Sequence, residues 1–108
     1  MGAKPLQGWE LLGKGRLTAS TISAAGTTVP VATPCRLRGV YFRGTAVAGT
    51  VVLKNDSAGT PTAVFTLPTP AVVGWGYVPV PGDGALFLID MQAVLTNVDG
   101  AVLYTEDL

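Results

Sequence analysis

Turn-forming residues interrupt this chain so often that it leaves no room for a long helix. From residue 16 onward, short runs rich in Val and Thr alternate with clusters of Gly, Pro, Asn and Asp. Closely spaced turns between short β-branched runs are typical of a β-sandwich or barrel. The residues that fill exposed helix faces are scarce, since the 108 residues include only 3 Lys, 2 Glu and 2 Gln. The pattern predicts strands at 16–23, 28–32, 36–43, 49–54, 62–67, 73–80, 85–89, 91–97 and 101–105.

These strands predict an all-β fold with one domain. We expect a single antiparallel β-sandwich of about eight short strands over residues 16–108, either jelly-roll-like or immunoglobulin-like. The segment 55–61 supplies several kinds of turn residue, so a hairpin is predicted to join strands 49–54 and 62–67. The dipeptide Asp99-Gly100, between two β runs, predicts a second hairpin.

Alternation along the strands predicts which residues form the core. Ala63, Phe65 and Leu67 share one strand face, and Met91, Ala93 and Leu95 share another. In strand 36–43, a bulge at Gly39 would bring Leu37, Val40 and Phe42 onto one face. Trp75 and Tyr77 lie two residues apart, and we expect them to be a buried pair in the core. Several strands also carry valines on the nominally outer face, which indicates cover by another subunit or segment.

The first 15 residues differ from the rest of the chain. They hold Trp9, Leu11 and Leu12 but no strand-like alternation, and they are too short to form a stable helix alone. We interpret residues 1–15 as an extended N-terminal arm. An exposed arm with these apolar side chains would be unfavourable, so we expect it to dock on its own sandwich or on a neighbour.

The charges are balanced but unevenly distributed. The formal net charge is zero, yet all seven basic residues lie in the first 54 residues and six of the seven acids in the remainder. One interpretation is that the halves interleave and their charges pair locally. The other is a dipolar molecule whose positive patch meets a negative patch of a partner. Arg36, Arg38 and Arg43 are then candidate partner-binding residues. Zero net charge argues against a nucleic-acid partner.

Catalytic and metal-binding chemistry finds little support in the sequence. Histidine is absent, so neither the serines nor Cys35 has a His partner for activation, and we expect a non-enzyme. Cys35 is predicted to be a small buried hydrophobe. Residues 8–15 resemble a phosphate-binding loop, but Gly15 stands where Ser or Thr is needed, and no strand precedes the segment. No metal site or cofactor is expected.

Compartment signals indicate a protein made inside a cell. Residues 1–7 contain no apolar run of the kind found in a signal peptide, and a single cysteine cannot form an intrachain disulfide. The long uncharged stretch 57–82 contains five prolines, which excludes a membrane-spanning helix. We therefore expect no membrane partner.

The stretch from Gly49 to Thr105 resembles small virion structural proteins of tailed bacteriophages. The resemblance is carried by GTVVLKNDS from Gly49, VPVPGDG from Val78, and AVLTNVDG from Ala93, ahead of Tyr104. It implies a compact β-sandwich with a short N-terminal arm, and a capsid decoration (cement) protein on the virion surface. The implied partners are the major capsid protein and further copies of the chain, as a homotrimer, after synthesis in the bacterial host cytoplasm. The family has no catalytic residues to transfer.

Two alternative functions remain open. A receptor- or glycan-binding module of a phage tail fibre or baseplate could use Trp75 and Tyr77 to stack on a sugar. An adaptor or tail component would share the fold and differ in location and copy number.

Overall fold

The computed structural model describes residues 17–108, and within this range the protein is a two-layer antiparallel β-sandwich. The sequence prediction of the fold class is therefore confirmed. Residues 17–108 contain nine strands: β1 (Leu17–Ile22), β2 (Gly26–Val31), β3 (Cys35–Gly44), β4 (Gly49–Asn55), β5 (Thr62–Thr69), β6 (Gly74–Pro79), β7 (Ala85–Phe87), β8 (Met91–Thr96) and β9 (Val98–Asp107). The residues described include no helix long and apolar enough to cross a membrane.

The strand order is that of a jelly roll. One sheet has the order β1-β9-β3-β6, with the short β7 also paired to β3, and the other sheet has the order β2-β8-β4-β5. Four antiparallel pairs are nested in the chain: β1 with β9, β2 with β8, β3 with β6, and β4 with β5. Such a nested hairpin rolled into two sheets is the eight-stranded jelly roll, and β7 is a ninth, additional strand. Since β1 and β2 lie in different sheets, the immunoglobulin-like alternative is wrong.

The core lies between the sheets where alternation predicted it. Met91, Ala93 and Leu95 are buried, while Phe65 and Leu67 pack against the core more loosely. The pairing of β3 with β9 shifts register between Leu37 and Gly39. This bulge places Leu37, Val40 and Phe42 together in the core, as expected. The prediction that Ala63 belongs to the core is wrong: it is exposed, because the pairing of β4 with β5 shifts register between Leu53 and Lys54 and interrupts the alternation before Phe65.

One hairpin prediction is confirmed and the other is wrong. Strands β4 and β5 form the hairpin around residues 56–61, where the Asp56 carboxylate accepts hydrogen bonds from the amides of Gly59 and Thr60. Asp99 and Gly100, in contrast, lie inside β9. The chain turns at Asn97, which has a positive φ of 54°, and passes there from one sheet to the other. This connection is a crossover between the layers, because β8 and β9 pair with different strands.

Candidate functional site

The outer face of the five-stranded sheet carries a group of aromatic side chains. We call Tyr41, Trp75, Tyr77 and Tyr104 the aromatic face. Tyr41 of β3 is paired directly with Tyr77 of β6, and Trp75 lies two residue pairs further along, opposite Arg43. Trp75 and Tyr77 keep 59% and 48% of their surface exposed. Most soluble proteins scatter their exposed aromatic residues singly, so a cluster of this kind indicates a binding surface.

The three tyrosines support one another. The ring centroids of Tyr41 and Tyr77 are 4.6 Å apart, and Tyr104 lies edge-on to both at 5.9 and 6.5 Å. These separations and tilted angles are the favourable geometry for aromatic pairs. Gly39 makes the arrangement possible, because a Cβ there would lie 2.9 Å from Cζ of Tyr77. The cluster is consequently fixed in position before any partner binds.

The expectation that Trp75 and Tyr77 form a buried pair is wrong. They do share one face of β6, as their spacing requires, but that face points outward. The inward position between them is Gly76, and the ring of Phe42 from β3 fills the space where its side chain would be. Since Phe42 already occupies the core at this edge, the large side chains of β6 can only lie outside.

The structure brings Arg36 and Arg38 together and bonds both within the chain. The guanidinium of each donates to the backbone carbonyl of Asp83, at 3.3 Å from Arg36 and 2.9 Å from Arg38. Arg38 also forms an ion pair with Glu106, with 3.5 Å between Nη1 and Oε1. Since Glu106 is buried, this pair balances a carboxylate that would otherwise be costly. Arg38 belongs to the basic first half of the sequence and Glu106 to the acidic second half, so at this ion pair the charges of the two halves pair within the chain.

Arg43 lies apart from the other two arginines. It is exposed near the far end of β3, on the same outer face as Trp75. Of the three arginines predicted to bind a partner, Arg43 is therefore the one placed beside the aromatic face. The remaining predicted partner-binding residues, Trp9, Leu11 and Leu12, lie outside the described residues.

The Asp90 and Asp56 carboxylates and the Asn55 and Ser57 side chains form hydrogen bonds in the loops at one end of the sandwich. Asp90 accepts from both the backbone amide and the hydroxyl of Ser57, and Asn55 accepts from the amide of Ile89. The hydroxyl and then the amide of Ser57 hold the pKa of the Asp90 carboxyl below its ordinary value. The Asp56 carboxylate accepts hydrogen bonds only within its own turn, from the amides of Gly59 and Thr60. The bonds of Asp90 and Asn55 join the loop after β4 to the loop before β8, a structural role.

Cys35 is fully buried at the start of β3, as the sequence predicted. Burial, followed by the charges of Asp107 and Asp90, raises the pKa of its thiol to about 11. A thiol with this pKa is almost entirely protonated at neutral pH and is a poor nucleophile. In the part of the chain that the structure describes, no three His, Cys, Asp or Glu side chains cluster as metal ligands would.

Sequence reasoning singled out Trp75 and Tyr77 but missed Tyr41 and Tyr104. The signal was present, since each of the two tyrosines alternates with buried neighbours on its strand. Comparison with known proteins adds no relative: no family model, curated protein or solved structure matches this chain.

Proposed function

We propose that this chain is a non-enzymatic structural protein of a tailed-bacteriophage virion, specifically a capsid decoration protein that binds the head and stabilises contacts between capsomers. The observation that carries the proposal is the aromatic face with Arg43 beside it. Trp, Tyr and Arg are the residues that most often contribute the binding energy of protein interfaces. An outward cluster of these three types, in which the tyrosines pack against one another, is suited to bind a folded protein surface.

The phage resemblance supports the same function. Its three segments form β4 with the following loop, the end of β6 with the loop to β7, and β8 with the start of β9. They therefore belong to both sheets of the sandwich. Jelly rolls occur in viral capsid proteins and in lectins, although a fold alone does not define a function.

Many copies on a symmetric shell would add avidity to a modest contact at each site. In this proposal Trp75 and Tyr77 bury their exposed rings against the major capsid protein. Arg43, at the margin of this face, meets an acidic group of a partner, where charge contributes to specificity. Further copies of the chain complete a homo-oligomer, which the resemblance implies is a trimer.

The first test is the copy number of the chain in purified particles, relative to the major capsid protein. A ratio comparable to the shell protein supports decoration. A few copies per particle would move the protein to the tail, and its absence from particles would overturn the proposal.

The second test is binding of the purified protein to particles that lack it. We expect Trp75→Ala combined with Tyr77→Ala to weaken binding by at least about 2 kcal/mol, as at interface hot spots. Leu88→Ala is the matched control, because Leu88 is 65% exposed but lies away from the aromatic face. Equal loss in both variants would contradict a role for this face.

The arm prediction is tested in the same assay. Deletion of residues 1–12 is expected to abolish particle binding while the sandwich stays folded, as judged by an unchanged unfolding transition. Unchanged particle binding by the deletion variant would contradict the arm's role.

A glycan- or receptor-binding module of a tail or baseplate is the second candidate, because the exposed rings of Trp75 and Tyr77 can stack on a sugar. Binding of host-surface polysaccharide that Trp75→Ala abolishes and Trp75→Phe retains would favour it. Low copy number in the particle would agree with this candidate, or with an adaptor or tail component.

A further inference from the structure

Four connections of the jelly roll meet at one end of the sandwich. They are residues 23–25, 45–48 and 70–73 together with Asn97, and we call them the apolar end. The register brings them together: Gly44, at the end of β3, pairs with Gly74 and Val98, and Gly49 pairs with Thr69. At the end of β1, Ile22 pairs with Ala101 near the start of β9.

The surface of the apolar end carries no charge. Its connections consist only of Ala, Val, Thr, Ser, Pro and Asn. Val72 and Val73 keep 63% and 66% of their surface exposed, and Val47 in the connection 45–48 is also exposed. Adjacent alanines extend the patch, and a shallow depression of about 240 Å³ lies at its margin beside Ile22 and residues 23–25. Contiguous exposed apolar surface with polar surroundings marks an interaction site.

Neutral hydrogen bonds hold this surface in place. The Thr45 hydroxyl has the carbonyls of Val47 and Asn97 as alternative acceptors for its one proton, and the Asn97 side-chain amide donates to the carbonyl of Ala48. The Thr69 hydroxyl accepts from the Gly49 amide. The loops are thus ordered before binding, which lowers the entropy cost of forming a contact.

One exposed pair of opposite charges flanks the apolar end. Arg43 of β3 pairs with Gly100, and Asp99 lies in the bulge next to Gly100. In residues 17–108 the only ion pair is Arg38–Glu106, and neither Arg43 nor Asp99 has a side-chain hydrogen bond. A surface that bears one positive and one negative group beside an uncharged centre is complementary to a second copy of itself.

We propose that the apolar end is the surface through which copies of this chain associate. Val47, Val72 and Val73 form the buried centre of the contact, and Arg43 of one copy meets Asp99 of the other at the rim. The chain's own first residues are a less suitable occupant, because β1 begins with Leu17 paired to Glu106, at the opposite end of the sandwich. This inference extends the proposed function by naming the self-association surface, but it does not depend on a capsid.

The test measures the mass of the purified full chain in solution over a range of concentrations, without particles. The wild type is expected to be an oligomer, and Val72→Ser combined with Val73→Ser to weaken association at least about tenfold. Leu88→Ser, with the same exposure at the other end, is expected to leave it unchanged. A monomeric wild type overturns the proposal, as does an unchanged mass of the double variant. A lower melting temperature of that variant without a change in mass also overturns it, because the chain's own residues would then cover this end.

A charge exchange tests the rim of the same contact. Arg43→Asp and Asp99→Arg are each expected to weaken association about tenfold, and the double variant to restore it. Failure of the double variant to recover association overturns the Arg43–Asp99 contact. A wild-type oligomer that fails to bind particles would count against the capsid proposal alone.

Discussion

The connections at the two ends of this jelly roll are held by hydrogen bonds of different kinds. At the apolar end, the hydroxyl of Thr45 and the amide of Asn97 hold the loops. At the opposite end, where β4 leads into residues 56–61 and residues 88–90 lead into β8, the Asp90 carboxylate accepts from Ser57 and the Asn55 side chain from Ile89. We call this the carboxylate end.

The difference in hydrogen-bonding groups suits one end to stabilise the fold and the other to associate with a partner. A carboxylate that accepts two hydrogen bonds, as Asp90 does, contributes strongly to the folded state. The half-exposed Asp56 carboxylate at the same end would be costly to bury against a partner. Neutral hydroxyl and amide groups fasten a loop more weakly and leave its outer surface free of charge. The carboxylate end is therefore suited to stay in solvent, and the apolar end to be covered.

The largest effect on stability is expected from Asp90→Ala at the carboxylate end. Asp90 is buried, and its loss leaves the Ser57 amide and hydroxyl without their acceptor. The free energy of unfolding at pH 7 should fall by about 1–3 kcal/mol, measured by urea denaturation. Asp83→Ala is the control, because Asp83 is exposed and only its backbone carbonyl, which alanine keeps, accepts hydrogen bonds. This control should change stability by less than about 0.5 kcal/mol. Equal losses would remove the distinction between the two carboxylates.

The contribution of Asp90 should depend on pH. Ser57 holds the pKa of the folded-state carboxyl below the unfolded value of about 3.9. The stabilisation is therefore complete above the unfolded pKa and is lost as the pH falls through the folded pKa. Urea denaturation of the wild type and of Asp90→Ala should give a difference that narrows between pH 6 and pH 3. A difference that stays constant over this range would show that the carboxylate charge contributes nothing.

A smaller effect is expected at the apolar end from Thr45→Val, which keeps the shape and removes the hydroxyl. The single hydroxyl proton lies within hydrogen-bond distance of the Val47 and Asn97 carbonyls, and the hydroxyl oxygen accepts from the Val47 amide. Its loss should lower the free energy of unfolding by about 0.5–1.5 kcal/mol, as for neutral hydrogen bonds. Because nothing in this network titrates near pH 4, the loss should be the same at pH 7 and pH 3.5. A pH-dependent loss would mean that the two ends are not fastened independently.

The sequence predicted the fold better than it predicted the outer surface. Alternation identified the core of β3, and the positions of its apolar residues required a bulge near Gly39, which the structure has at the preceding residue, Arg38. The same alternation showed that Trp75 and Tyr77 share a face, but a single strand cannot reveal which of its faces is inside. That choice depends on Phe42, which fills the space beside Gly76 from another strand.

The connections between strands show a similar limit. Asp99-Gly100 has the local chemistry of a hairpin turn, yet the chain turns at Asn97 and changes sheets there. Turn residues report local backbone conformation, whereas the choice between a hairpin and a crossover depends on which distant strands pair. The apolar end could not be foreseen for the same reason, because its four connections come from widely separated parts of the chain.

The smallest expected effect is a change in the rate at which Cys35 reacts with a thiol reagent. Cys35 is fully buried at the carboxylate end, and its raised pKa of about 11 leaves it protonated at pH 8, so labelling requires the protein to open. If the carboxylate end opens as a local unit, Asp90→Ala should accelerate labelling by about tenfold for each 1.4 kcal/mol lost. Thr45→Val should then leave the rate unchanged, because the bonds it removes lie at the other end. If each variant instead accelerates labelling in proportion to its own loss of unfolding free energy, Cys35 is exposed only by global unfolding and the two ends open together.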